Sequence, residues 1–240
     1  MTPRQLLDSG RLKDALQALT AEVRDNPTDA QRRTYLFELL SFSGDYDRAE
    51  KHLDVLAQQS QAAAMGALLY RAALHAERLR QQIFGKKEYP HTPETEGTDP
   101  RTVLVNGKPC HTFEDADPRI SSRLEVFAAG SYLWIPFEHI DSIEIAPPKR
   151  LRDLLWAPAV VRTGPAFQVR ELGEVLLPVL SPFSWQHADD AVRLGRATVW
   201  ESGESGEAIP FGHKMFVVDD EDIPMLQLHS VQFSAAAASA

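Results

Sequence analysis

The feature that most restricts what this chain can fold into is a pair of matching hexapeptides. Gly10-Arg11-Leu12-Lys13-Asp14-Ala15 returns as Gly44-Asp45-Tyr46-Asp47-Arg48-Ala49, at an offset of 34 residues. A repeat of that period implies one helix pair used twice. Each position has a physical reason. Glycine suits the tight turn between two packed helices, where a side chain crowds the crossing. The large residue two places later opens the next helix's buried face, and the small alanine lets the helices approach. Leu19 and Leu53, four residues beyond each alanine, continue the stripe.

The flanking sequence agrees. Residues 3–84 lack strand-like alternation, and their apolar residues recur at helical spacing: Leu12, Leu16, Leu19 and Val23; Leu36, Leu39 and Leu40; Leu53 and Leu56; Leu68, Leu69, Leu79 and Ile83. Helices are predicted at 3–9, 12–25, 29–42, 46–59 and 62–84. Asn26-Pro27 breaks the pattern, with Thr28 or Asp29 as the next cap, and Ser43-Gly44-Asp45 breaks it again. The 34-residue period is that of tetratricopeptide repeats. Pro27 stands where such repeats usually close on proline, whereas the second repeat has Gln61. An unrelated helical bundle is the plainer alternative. Two repeats are few for a free-standing solenoid, so helix 62–84 is expected to cap the stack, with the rest of the chain against it.

Residues 85–101 are polar and rich in Pro, Gly and Thr, and read as a linker. The period then changes. Thr102–Val105 followed by Asn106-Gly107 reads as a hairpin, and Leu124–Phe127, a Gly130 turn and Tyr132–Ile135 read as paired strands. Further strands are predicted at 142–146, 158–162, 174–180, 197–201, 215–218 and 225–233, with short helices at 150–156 and 188–194. The fold class is therefore α+β: a tetratricopeptide-like all-α domain at 1–84, a linker, an α+β domain with a mostly antiparallel sheet at 102–234, and a frayed Ala/Ser-rich tail at 235–240.

The net charge of −9 opposes strong non-specific attraction to nucleic acid or to anionic membrane surfaces. Lys149-Arg150 with Arg152 is the densest basic cluster and reads as a solvated loop end. The single cysteine, Cys110, forms no internal disulfide. No signal-like or membrane-spanning apolar run is present, so a cytoplasmic location is expected.

No nucleotide-binding loop, zinc-protease helix, serine-hydrolase elbow or Cys-x-x-Cys occurs. Cys110 and His111 are adjacent, and neighbouring strand residues point to opposite faces, so they are badly placed for proton transfer. Asp115 and Asp117 have metal-ligand character, but their spacing before Pro118 reads better as an Asx turn. Asp189 and Asp190, beside His187, read as helix caps, and His139 and His213 as structural. No metal, cofactor or catalytic residue is expected. Trp134, Trp156, Trp185 and Trp200 read chiefly as core, and any exposed one would be an interface anchor.

Several phrases in the second half carry a resemblance. They are Asp115-Ala-Asp-Pro-Arg119, Leu124-Glu-Val-Phe127, Tyr132-Leu-Trp-Ile-Pro-Phe137, Arg152-Asp-Leu-Leu-Trp156-Ala-Pro158, Gly173-Glu-Val-Leu-Leu-Pro178 and Arg193-Leu-Gly-Arg-Ala-Thr-Val-Trp200. In this order, behind Gly10 and Asp14-Ala15, the chain resembles the ImpE/TagJ (SciE-type) family of type VI secretion accessory proteins, from Leu6 to about Phe233. It departs from the family pattern at Ile120–Arg123, Ser181 and Phe211–Lys214. The resemblance implies a cytoplasmic protein that binds the small contractile-sheath subunit (TssB/VipA-type), in particular an N-terminal helical segment of it. It also implies a connection to the sheath-recycling ATPase (ClpV-type). It supplies no catalytic residue.

The leading reading is thus a non-enzymatic adaptor. A hydrolase-like enzyme with its site in the α+β domain, or a tetratricopeptide chaperone for exported effectors, remain alternatives. In stacked repeats the first helix of each pair lines the concave side. With Leu36, Leu39 and Leu40 assigned to the core, Arg32, Tyr35 and Phe42 are the candidate protein-binding residues, although either aromatic could equally be core.

Overall fold

Five helices precede any strand: α1 (Pro3–Asp8), α2 (Leu12–Asp25), α3 (Ala30–Phe42), α4 (Tyr46–Ala57) and α5 (Gln61–Lys86), each packed on the next. The computed structural model describes residues 1–90, 101–164, 167, 172–204 and 206–234. The predicted tail at 235–240, and residues 91–100 of the predicted linker, lie outside them.

The helix starts follow local capping chemistry. Thr2 and Gln5 form a reciprocal capping box, Asp29 accepts from the Arg32 N–H, Asp45 from Arg48 and Ser60 from Ala63. The predicted stripe of α2 is buried at Leu12, Leu19 and Val23, together with Ala15, while Leu16 is only partly buried; that of α4 is buried as Ala49, Leu53 and Leu56. Gly10 and Gly44 lie in the turns after α1 and α3, at φ +78° and +73°. The space beside Gly44 is filled from outside the helix pair: a Cβ there would sit 2.3 Å from the Trp185 ring. Helix α5 departs from expectation. Leu68 and Leu69, assigned to its buried stripe, are exposed, and its core is Ala67, Ala73, Leu74, Ala76 and Phe84. A helix apolar on more than one face cannot bury all of them against one neighbour.

The strands are β1 (Thr102–Val105), β2 (Lys108–Cys110), β3 (Phe113–Asp115), β4 (Arg123–Ala128), β5 (Ser131–Pro136), β6 (Ile140–Ile145), β7 (Trp156–Thr163) and β8 (Gly173–Pro178). After α6 (Asp190–Arg193) come β9 (Thr198–Ser202), β10 (Ala208–Gly212), β11 (Met215–Val218), β12 (Glu221–Pro224) and β13 (Ser230–Ser234). Eight form one sheet in the order β2-β1-β13-β6-β7-β8-β4-β5, every pair antiparallel. Asn106 and Gly107 both adopt positive φ, as a two-residue hairpin turn requires. Ala129 and Gly130 do the same between β4 and β5. The predicted strand at 225–233 is instead a 3₁₀ turn, Met225–Gln227, followed by β13. The predicted helix at 150–156 is likewise a 3₁₀ turn, Leu151–Leu154.

The two faces of the large sheet belong to different cores. Phe127, Trp156 and Leu176 pack with the helices, and Phe37, Tyr70 and Trp156 form an aromatic group across that boundary. Val126, Ala157, Val161 and Leu177 point the other way, toward the small sheet β12-β11-β3, where Phe113 stacks on Phe216 at 5.2 Å. Strand alternation thus sorts neighbouring residues between a helical layer and a second β layer. No helix among the described residues is long and apolar enough to cross a membrane.

Candidate functional site

The candidate binding residues of α3 separate in the structure. Arg32 is half-exposed, and its guanidinium pairs with Glu22 at 3.1 Å and with its own helix cap Asp29. Tyr35 is half-buried, and its desolvated hydroxyl is pushed up to about 12. Phe42 is 1% exposed and lies in the helical core. It therefore does not line an open face, because the last turn of α3 is enclosed by its neighbours and loses the solvent side it would need.

Where α5 meets the sheet, five ionisable groups are buried together. Arg80 donates to both carboxylate oxygens of Glu125 on β4, at 2.7 and 2.9 Å, to the Leu180 carbonyl at 3.0 Å and to Glu77 at 3.3 Å. Lys214 joins Glu125 at 2.6 Å and Asp115 at 2.5 Å. The Tyr132 hydroxyl donates to Glu125, and the Trp156 indole to Glu77. Two cations thus face three carboxylates, and all five side chains are buried. Burial alone would raise every carboxyl. At Glu125 the opposing pull of Arg80 and Lys214 wins and holds it well below the carboxylate range. At Asp115 burial wins over Lys214, with Glu125 adding repulsion, and the pKa is pushed up to about 7. The surplus carboxyl is the one that keeps a proton most readily.

Shifted carboxyls in a cluster can signal catalysis. Here each group is consumed by its neighbours. The adjoining cavity, between Tyr46, Arg80, Trp156 and Trp185, measures about 20 Å³. That is room for a water, not for a substrate. A second ion pair, Arg152–Glu38 at 2.7 Å, joins the 3₁₀ turn before β7 to α3, and Arg152 also lies over the Tyr70 ring. The predicted basic cluster is therefore not one patch: Arg152 turns inward, while the Lys149 and Arg150 N–H groups bond Asp153.

The remaining candidates take structural places. Asp115 Oδ1 accepts the Asp117 N–H, and Asp117 accepts from Arg119, so the predicted Asx turn is formed. Asp189 caps α6 as expected. Cys110 is buried, which pushes its thiol up. His213 donates from Nδ1 to the Gly195 carbonyl and accepts the Leu226 N–H at Nε2, and burial pulls it down toward the neutral form. Among the described residues no group of three or more His, Cys, Asp and Glu could hold a metal. Trp156 is buried, whereas Trp200 on β9 is exposed. An open groove of about 700 Å³ lies between Leu69 and Tyr70 of α5 and the sheet strands β4, β8, β7, β6 and β13.

Comparison with known proteins places this architecture. The family described as ImpE protein matches residues 107–232, which spans most of the sheet region. The chain belongs to the ImpE family. Across 97% of its length it is 30% identical to the type VI secretion system accessory component TagJ of Pseudomonas aeruginosa, covering 91% of that protein. A crystal structure of protein VPA1032 from Vibrio parahaemolyticus has the same fold, with a TM-score of 0.82 at 22% identity, over 96% of this chain and 97% of that one.

Within the ImpE match lie Glu125 and Lys214, neither of which sequence reasoning singled out. Glu125 had a usable signal. It interrupts Leu124-Glu125-Val126-Phe127, where both faces of the strand are otherwise apolar, and a charge there needs an internal partner. Arg80 and Lys214 gave no such sign, because each is an ordinary residue until the chain brings them together.

Proposed function

We propose that this ImpE-family chain is a non-enzymatic accessory component of the bacterial type VI secretion system. In this reading it is an adaptor that binds the small contractile-sheath subunit (TssB/VipA-type) and is linked to sheath recycling by the ClpV-type ATPase, in the cytoplasm. The observation that carries the accessory role is the 30% identity to TagJ over 97% of the chain. A binding role is further supported by the contrast between the saturated buried charges and the open groove, which exposed Leu69 helps to line. Residues 1–84 are taken as the tetratricopeptide-like partner-binding unit and 102–234 as the ImpE-type α+β unit.

The half-exposed pair Arg32 and Tyr35 on α3 is the proposed contact for an N-terminal helical segment of the sheath subunit. The test is a calorimetric titration of the full chain with a peptide of that segment. Arg32→Ala and Tyr35→Ala should each weaken binding by about 1 kcal/mol or more, roughly fivefold. Unweakened binding in both variants removes the contact from α3. A peptide and a full-length sheath subunit that both fail to bind would sink the adaptor reading.

A further inference from the structure

Lysine is almost never fully buried unless it is paired. Lys214 is 3% exposed and its amine touches two carboxylates at once, Asp115 Oδ2 at 2.5 Å and Glu125 Oε2 at 2.6 Å. Those two residues are themselves 4% and 2% exposed. The backbones that carry the amine and Asp115 are fixed. Strand β3 pairs with β11, Asp115 lies opposite Phe216, and the Ala116 N–H bonds the Met215 carbonyl at 3.0 Å. The Lys214 N–H bonds the Val179 carbonyl at 2.8 Å, and the Lys214 carbonyl accepts the Met225 N–H at 2.9 Å.

The two oxygens of Asp115 have different surroundings. Oδ2 faces the Lys214 amine, while Oδ1 accepts the Asp117 N–H at 3.0 Å. The site therefore holds an amine nucleophile against a carboxyl group, a backbone donor on the oxygen where negative charge would develop, and a second carboxylate on the same amine. Those are the parts that an amide condensation needs.

We propose that Lys214 and Asp115 condense to an intramolecular amide, a covalent cross-link between β3 and the segment entering β11, with Glu125 as proton carrier. One ammonium proton passes to Asp115 Oδ2 across their contact, leaving a neutral amine beside a neutral carboxylic acid. The nitrogen lone pair attacks Asp115 Cγ, and charge develops on Oδ1 against the Asp117 N–H. Glu125 takes a second proton from the nitrogen and hands it to Oδ2, the Cγ–Oδ2 bond breaks, and water leaves. One ammonium and one carboxylate are consumed, one amide and one water are formed, and Glu125 ends ionised as it began. The bond joins positions 99 apart and closes β4 to β10 into a covalent loop. Burial favours this exchange of two charged groups for a neutral one. Contact in a fixed geometry supplies an effective molarity of up to about 10⁵–10⁸ M. Burial, which pushes Asp115 up to about 7, also favours its neutral acid. At Lys214 burial opposes the charge, but Asp115 and Glu125 outweigh it and raise the pKa, so the free amine is scarce. The newly folded chain thus carries the ion pair, and the amide accumulates slowly.

The test is intact-mass spectrometry of the full chain, sampled while the folded protein stands at neutral pH over several days. We expect a species lighter by one water to accumulate. Tandem spectrometry of a tryptic digest should show the peptides holding Asp115 and Lys214 joined as one branched product. The chain kept unfolded in urea should retain its full mass. Lys214→Arg, which keeps the cation, should form no cross-link. Asp115→Asn should lose ammonia in place of water, because the same attack expels the amide nitrogen. Glu125→Gln should slow formation at least tenfold. Circular dichroism checks that each variant is folded. A parent mass that stays unchanged throughout, as a permanent ion pair requires, overturns the cross-link whatever the variants do. So does a lost water that maps to any other pair of residues. Formation at the parent rate in folded Glu125→Gln overturns the part given to Glu125.

Discussion

Replacing Arg80 by methionine tests whether the buried charge cluster joins the helices to the sheet. Methionine keeps much of the length and apolar stem of arginine and removes its charge and its donors. Arg80 is 1% exposed and donates to Glu125 twice, to Glu77 and to the Leu180 carbonyl. After the change, Glu125 retains Lys214, but Glu77 keeps only its contacts with Gln81 and Trp156. Breaking a buried ion pair by removing one partner costs about 3–5 kcal/mol. With a urea slope of about 3 kcal/mol/M for a chain of this size, the midpoint should fall by roughly 1–1.7 M. Urea melts followed by circular dichroism and by tryptophan fluorescence measure it. The double variant Arg80→Met, Glu77→Gln should recover a large part of the loss, because Glu77 is the carboxylate that the single change leaves without a cation. A midpoint shift below about 0.3 M in the single variant, or single costs that simply add in the double, would refute the argument.

Two further outcomes follow from the same geometry. Gly44→Ala should cost clearly more than Gly10→Ala in thermal melts. Both pay about 1–2 kcal/mol for left-handed backbone, but the nearest atom to a Gly10 Cβ is 3.7 Å away, against 2.3 Å for Gly44 and Trp185. Equal losses would count against the Trp185 contact. Asp115→Asn should change the pH dependence of stability. The folded pKa of Asp115 is about 7, raised from 3.8, so its contribution is fully present below about pH 4 and is lost as pH rises through 7. The stability of the Asn variant relative to the parent should therefore rise between pH 4 and pH 7, read from urea midpoints. A constant difference across that range would show that Asp115 titrates normally.

What the sequence determined on its own were features that depend on near neighbours. The repeat at Gly10 and Gly44, the cap at Asp29, the Asn106-Gly107 hairpin and the Asp115–Asp117 turn each rest on residues within a few positions. The family was legible for a related reason, since its phrases mark strand ends and turns in a fixed order. Tertiary structure decided which apolar residues are used. Phe42 went to the core and Leu68 and Leu69 to the surface, although helical spacing put the two leucines in the buried stripe and left Phe42 outside it. It also decided the charge cluster, whose members Arg80, Glu125 and Lys214 are 45 or more positions apart. Helical spacing states which residues share a face, but not whether a second surface covers it. Only the packed structure decides that, and there no neighbour covers Leu68 or Leu69.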